Sequence, residues 1–242
     1  AYHKDDLLGI GRGLSDIDLT SLMGIVGTVE KDAFLLRASY HQGDLDSVSA
    51  GSTALLGALR GLPAALPAPV RAAGNAVADD LEIVDTLGHF YELGAKYDPG
   101  DWFLIGEWTA LEFDRSLAQD TEGWFVSGGV RFGGKSTIYV SYADLSTDLK
   151  SGYSDPLRPF LPATAALVAV VDGTIAASES DQTSWTLGYR YDLSDSVDIK
   201  FEYQSFDVMT SPTGSPSAQF HDVVPGWDGD ASLFTVALDA VF

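Results

Sequence analysis

The chain has 242 residues, and its 14 Lys plus Arg against 35 Asp plus Glu give a formal net charge of -21 and a pI near 4.2. This acidity excludes the basic surface that nucleic-acid binding requires, and the absence of cysteine excludes disulfides, thiolate zinc sites and a cysteine nucleophile. Hydrophobic residues at 45% and aromatic residues at 11% exclude a disordered chain.

The sequence indicates neither a transmembrane helix nor a signal peptide. No run reaches the roughly 18 apolar residues of a membrane helix. The opening AYHKDDLLG lacks the basic-then-apolar pattern of a signal peptide. We therefore expect a mature, trimmed or partial chain.

Alternation of apolar and polar residues with a period of two recurs in segments of about nine to twelve residues, which predicts β-strands. In VDIKFEYQ, for example, Val197, Ile199 and Phe201 alternate with charged residues. In chain order the nine segments are DLTSLMGIVGTVE, AFLLRASYH, FYELGAKY, DWFLIGEW, WFVSGGVRF, STIYVSYA, SWTLGYRYD, VDIKFEYQ and SLFTVALDAVF.

The predicted connections alternate between short and long. Short ones such as DPGD at 98–101 have turn chemistry. The long ones are expected at about 47–82, 115–122, 146–182 and 208–230. This alternation is typical of transmembrane barrels, which have short periplasmic turns and long outer loops. Two long loops contain apolar stretches interrupted by proline, which we interpret as short helical pieces packed on the barrel or a neighbouring subunit, or as a segment folded into the lumen.

The two rows of each strand differ in character. One row carries charges of both signs among small polar residues, as the wall of a water-filled lumen would. The predicted lumen residues are Arg37, Glu92, Lys96, Glu107, Arg131, Arg190, Asp192, Asp198, Lys200, Glu202 and Asp239, with Asp18 as a further acidic member. A soluble β-sandwich also alternates, with its apolar face inward, and remains an alternative.

Aromatic residues of the apolar row lie near strand ends, which predicts two girdles at the two membrane interfaces. The predicted girdle residues are Trp102, Trp108, Trp124, Trp185, Tyr191, Tyr203 and Phe234.

Several of these segments resemble the C-terminal part of Gram-negative outer-membrane porins. The segments are DLLGI, LLRASYH, YELGAKYDPGDWFLIGEWT, GWFVSGGVRFGGKSTIYVSYA, SWTLGYRYDLSDSVDIKFEYQ and LFTVALDAVF. The resemblance implies an all-β fold, a transmembrane antiparallel up-and-down β-barrel in the outer membrane of a Gram-negative bacterium. It also assigns Phe242 to the signal that the outer-membrane assembly machinery reads.

Porins of this kind commonly have about sixteen strands, and bacterial barrels have an even number. About nine strands within a single domain, 1–242, therefore imply that N-terminal strands are missing. A ten-stranded barrel, with an extra strand from Leu7 to Leu14, is the alternative.

The resemblance implies a passive diffusion channel for small hydrophilic solutes or ions, without a cofactor. Its expected partners are outer-membrane lipid and lipopolysaccharide, small solutes and the assembly machinery, and a homotrimer is compatible with the resemblance. Acidic loops at 144–155 and 220–230 predict weak cation selectivity that fades as salt rises.

The sequence predicts no enzyme and no metal site. The four histidines, His3, His41, His89 and His221, lack metal-ligand spacing. Glu92 and Glu107 could be taken for a catalytic carboxylate pair, but lumen charges explain them better.

One enzymatic alternative stays open, a barrel protease or lipase near the outer rim. It would use His41 with Asp44 and Asp46, or His221 with Asp222. Nothing in the sequence resembles those families.

Overall fold

The computed structural model describes residues 16–179, 181–208 and 227–241. Nine antiparallel strands form one up-and-down sheet in sequence order, which confirms the predicted fold class. The strands are β1 (Asp16–Lys31), β2 (Phe34–Val48), β3 (Thr86–Tyr97), β4 (Trp102–Phe113), β5 (Asp120–Phe132), β6 (Ser136–Asp148), β7 (Gln182–Ser194), β8 (Val197–Val208) and β9 (Asp230–Ala240). The stretch from Leu7 to Leu14 and Phe242 lie outside the described residues.

The sheet has two chemically distinct faces, because side chains alternate along each strand. The apolar face carries large hydrophobic residues that nothing covers within the described ranges: Val140 is 47% exposed, Leu187 56% and Val236 54%. The other face, called the polar face below, carries the charged rows. The strands have 11 to 16 residues, enough to cross a bilayer at the usual tilt.

A β-bulge in β1 changes which residues share a face. The register with β2 shifts between Thr20 and Met23, where Ser21 has a φ of 52°. The extra residue brings Thr20 and Asp18 onto the face that carries Met23. The expectation that Asp18 belongs to the lumen row is therefore wrong, because the period of two is broken between it and the rest of the strand.

The connections differ sharply between the two ends of the sheet. Turns of two to four residues join β1 to β2, β3 to β4, β5 to β6 and β7 to β8. The β5 to β6 turn places Gly133 and Gly134 at φ values of 61° and 68°, which suit glycine in a tight hairpin. At the other end, the long connections 49–85, 114–119 and 149–181 join β2 to β3, β4 to β5 and β6 to β7.

Two of the long connections are helical. They contain α1 (Ala50–Arg60), α2 (Ala68–Leu81), a 3-10 helix (Asp155–Phe160) and α3 (Ala165–Ala176). Ser49 begins α1 with a capping box, since its hydroxyl accepts from the Ser52 backbone N–H. None of the described helices is long and apolar enough to cross a membrane.

These helices pack on one another and form what we call the helical lobe, residues 49–85, 114–119 and 149–179. Its core residues are Leu55, Leu59, Ala73, Val77, Ala78, Leu81, Tyr153, Leu157, Val168, Val171 and Ile175. The predicted short helical pieces are present, but they bury their apolar sides against each other across two connections. Most of the fully buried side chains in the described chain lie here and not in the sheet.

The connection between β4 and β5 ties the lobe together. Arg115 Nε donates to Asp80 of α2 at 2.8 Å, and its guanidinium lies 4.2 Å from the centre of the Tyr153 ring. The Tyr153 hydroxyl donates to the Ser116 carbonyl. The Leu117 N–H donates to the carbonyl at the end of α2 at 3.1 Å. The three connections therefore form one packing unit.

Leu59 is fully buried in the lobe, so Leu59→Ala should destabilise the lobe by about 2–5 kcal/mol through lost packing and a residual cavity. Limited proteolysis should then cut residues 49–85 and 149–179 faster, while heat-modifiable gel migration, which reports the folded sheet, stays unchanged. Val170→Ala is the control, because Val170 is 53% exposed on α3. Equal cleavage of both variants would contradict a shared core.

Candidate pore wall

The strand register places every predicted lumen residue from Arg37 to Asp239 on the polar face. Sequence reasoning missed one carboxylate of this face, Glu30, which pairs with Leu35 across the β1–β2 ladder. The alternation of β1 between Met23 and Lys31 contained that signal. That these residues line a pore stays a prediction.

An ion pair joins the fourth residue of β2 to the seventh residue of β3. Arg37 Nε lies 2.7 Å from the Glu92 carboxylate. The Ser39 hydroxyl donates to the same carboxylate at 2.7 Å. With both oxygens occupied, Glu92 is only 8% exposed, and its charge is compensated within the wall.

A second cluster forms where the wall meets the β3–β4 turn. Lys96 and Arg131, both predicted lumen residues, bind Asp98 of the turn, at 3.0 and 2.7 Å. Arg131 also donates to the Gly100 carbonyl at 2.8 Å. The turn thus supplies the carboxylate that the two cations share.

Two further clusters lie on β7 and β8. Arg190 contacts Asp192 at 2.9 Å and Asp198 at 3.0 Å. Lys200 lies 3.1 Å from Glu202. Asp192 and Asp198 lie near the short turn between β7 and β8, whereas Glu202 lies at the middle of β8.

Two aromatic side chains of the polar face lie over glycines of the neighbouring strand. Phe103 covers Gly129, and Tyr139 covers Gly188. Because Gly188 has no side chain, the Tyr139 hydroxyl reaches across β7 and donates to Glu202 on β8. The glycines are therefore required for close approach, and the rings lie flat along the wall.

Aromatic residues of the apolar face form two bands. Between the strand middles and the long connections, the ring centres of Trp124 and Tyr142 are 5.3 Å apart and those of Tyr142 and Trp185 are 4.7 Å apart. Next to the short turns, Tyr97 and Trp102 are 5.1 Å apart. All the predicted girdle residues lie on this face. Their role at the membrane interfaces stays a prediction.

The first band also contains aromatic residues that were not predicted as girdle members. Tyr142 is one, and Tyr40 and Tyr91, whose ring centres are 5.3 Å apart, are two more. Each belongs to the apolar row of its strand, so the same alternation carried the signal. Trp108 Nε1 donates to Glu122 at 2.7 Å, which satisfies its polar group within the protein.

Within the described residues, the first histidine and aspartate pair suggested for an enzymatic site does not come together. His41 lies on the polar face and Asp44 on the apolar face, because they are three residues apart in a regular strand. His221 and Asp222 lie outside the described residues. Across residues 16–179, 181–208 and 227–241, no group of three or more His, Asp or Glu could hold a metal ion.

A side chain at Gly188 would overlap the Tyr139 ring. Gly188→Ala should therefore push Tyr139 away from Glu202 and lower the free energy of unfolding by about 1–3 kcal/mol. Equilibrium unfolding in urea with lipid vesicles measures this. Gly27→Ala is the control, since nothing lies within 4 Å of a Cβ there. A Gly188→Ala variant as stable as the control would refute the close approach.

Hydrogen bonds from Arg131, followed by those from Lys96, hold the pKa of the Asp98 carboxyl well below its usual range. Because the folded pKa is the lower one, this contribution to stability is complete above the ordinary Asp pKa and is lost as the pH falls through the lowered value. Arg131→Gln should raise the pKa of Asp98, so that acid unfolding begins at a higher pH. Carbon-13 NMR of the labelled carboxyl, compared with native protein, measures the shift; an unchanged titration would refute the assignment.

The family model described as Gram-negative porin matches residues 15–210. Among curated proteins, no sequence matches the chain significantly. Several solved structures share its fold, among them the following two. OmpT of Vibrio cholerae has 12% identity and a TM-score of 0.50, with 90% of this chain and 55% of that chain covered. The anion-selective porin from Comamonas acidovorans has 13% identity and a TM-score of 0.51, with 91% and 49% covered.

The chain spans about half the length of these two structures. At such identities the likeness shows the fold, and it agrees with the nine-stranded sheet described above. The family model covers well over half of the chain. The chain therefore belongs to the Gram-negative porin family and lies in the outer membrane.

Proposed function

We propose that the protein is a passive diffusion pore for small hydrophilic solutes and ions, with a weak preference for cations. One observation carries this proposal: the sheet has an uncovered apolar face and a charged opposite face, while the packed core lies in the helical lobe. In such a sheet the apolar face would contact lipid and the charged face would contact water. Solutes would move along their concentration gradients, without a covalent step.

A pore requires a closed wall. Among the described strands, β1 pairs only with β2, and β9 only with β8. In hydrocarbon both free edges need partners, because unpaired backbone groups cost several kcal/mol each. We propose that these nine strands form part of a larger barrel, about sixteen-stranded as the family resemblance implies.

The expected partners follow from the same two faces. Outer-membrane lipid and lipopolysaccharide would cover the apolar face, and small solutes would pass the polar face. The assembly machinery would read Phe242, which lies outside the described residues. A homotrimer would add contacts on the apolar face.

Charge supports the preference for cations. Carboxylates crowd the strand ends next to the long connections: Asp16, Asp18, Asp44, Asp46, Glu112, Glu122, Asp144, Asp148, Asp207 and Asp230. They raise the local concentration of cations at that mouth, an effect that salt screens beyond about 10 Å at 0.1 M.

An enzymatic role has no comparable support. His41 and Asp44 point to opposite faces of β2. The Glu92 carboxylate is occupied by Arg37 and Ser39, so it does not form a free catalytic pair with Glu107. We therefore propose that the protein is not an enzyme.

Single cysteines test the proposal, because these 242 residues contribute no cysteine of their own. Ser141→Cys lies on the polar face and Val140→Cys, its neighbour in β6, on the apolar face. In planar bilayers, a charged methanethiosulfonate reagent should lower the conductance of Ser141→Cys within minutes and leave Val140→Cys unchanged. The reverse pattern, or a protein that gives no conductance at all, would refute the pore.

A further inference from the structure

Every described cation of the polar face contacts at least one carboxylate. The five described Lys and Arg side chains of this face are Arg37, Lys96, Arg131, Arg190 and Lys200. They contact five carboxylates at 2.7 to 3.1 Å, namely Glu92, Asp98, Asp192, Asp198 and Glu202. These five cations and five carboxylates carry no net charge together.

Two of the paired carboxylates are also occupied by hydroxyl groups. Glu92 accepts from Ser39, and Glu202 accepts from Tyr139. A passing cation would have to displace these donors as well as the paired Arg or Lys before it could bind. The ion pairs are therefore poor sites for a permeating ion.

Three carboxylates of the polar face have no such pairing among the described residues: Glu30, Glu107 and Asp239. Glu30 and Asp239 lie next to the last residues of β1 and β9, at the end of the short turns. Glu107 is different, because it is the sixth of the twelve residues of β4. It is therefore the one unpaired charge at mid-strand within the described part of the wall.

Glu107 is half-buried, and its two cross-strand neighbours carry no charge. Its cross-strand neighbours are Gly94 and Phe125. A Cβ placed on Gly94 would lie 3.9 Å from Glu107 Oε2 and 3.9 Å from the Arg37 Cβ. The carboxylate of Glu107 thus lies beside the backbone of Gly94, which has no side chain. Arg37, on the other side of Gly94, already binds Glu92 with its guanidinium.

We infer that Glu107 is the specificity-determining residue of the pore wall and that the solutes it favours are small cations; this inference rests on the pore proposed above. A charge at mid-strand lies deeper in the wall than the carboxylates at the strand ends, so dissolved salt screens it less than it screens those carboxylates. The preference that Glu107 confers therefore persists at salt concentrations that abolish the contribution of the mouth.

The test is the reversal potential in planar bilayers under a KCl gradient, with protein purified from outer membranes. Glu107→Gln should lower the cation-to-anion permeability ratio by about twofold or more, at 0.1 M and at 1 M salt alike. Glu112→Gln is the matched control, because it removes the same charge from the same strand on the apolar face. It should leave the ratio at 1 M unchanged.

Glu107→Lys gives a second measurement, since it should turn the preference towards anions, and conductance itself reports that the variant is folded. Native conductance with an unchanged ratio in both Glu107 variants would overturn the inference and leave the pore intact. Equal shifts for Glu107→Gln and Glu112→Gln, or a shift seen only for Asp239→Asn, would also overturn it. No conductance from native protein would remove the pore and the inference together.

Discussion

The rest of the structure depends on one constraint: a bilayer offers no water to the backbone, so every N–H and C=O of a spanning segment needs a partner in protein. Eight antiparallel ladders meet this constraint between β1 and β9. Each ladder also fixes a register, and the register decides at once which side chains meet lipid and which meet water. The register of the strands therefore determines both the aromatic bands and the ion pairs of the wall.

The strands and their faces could be predicted because alternation is a local property of the sequence. Val197 to Tyr203 shows it without a fault, and the structure places those residues as the pattern indicates. The bulge in β1 could not be predicted. Neither glycine nor proline marks it at Ser21 and Leu22, and one additional residue reverses the faces on only one side of it. For this reason Asp18 was predicted to lie on the wrong face of the sheet.

The ion pairs of the wall and the packing of the helical lobe both depend on contacts between residues that are far apart in the sequence. Arg131 and Asp98 are 33 positions apart, so only the register of β3, β4 and β5 brings them together. The helix α3, AALVAVVDGTIA, is apolar on nearly all sides, so its sequence does not indicate which side is buried. Its packing with the 3-10 helix, and that of the 3-10 helix on α2, belong to the fold of the connections as a group.

The composite helical lobe has a consequence for recognition by antibodies. Its surface sets side by side residues from separate connections, such as Asp80 and Arg115, which are 35 positions apart. A linear peptide that copies one connection lacks the neighbours supplied by the other two. Sera raised against such a peptide would bind the denatured chain better than the folded protein, and a sequence change in one connection would alter the epitope formed with the others.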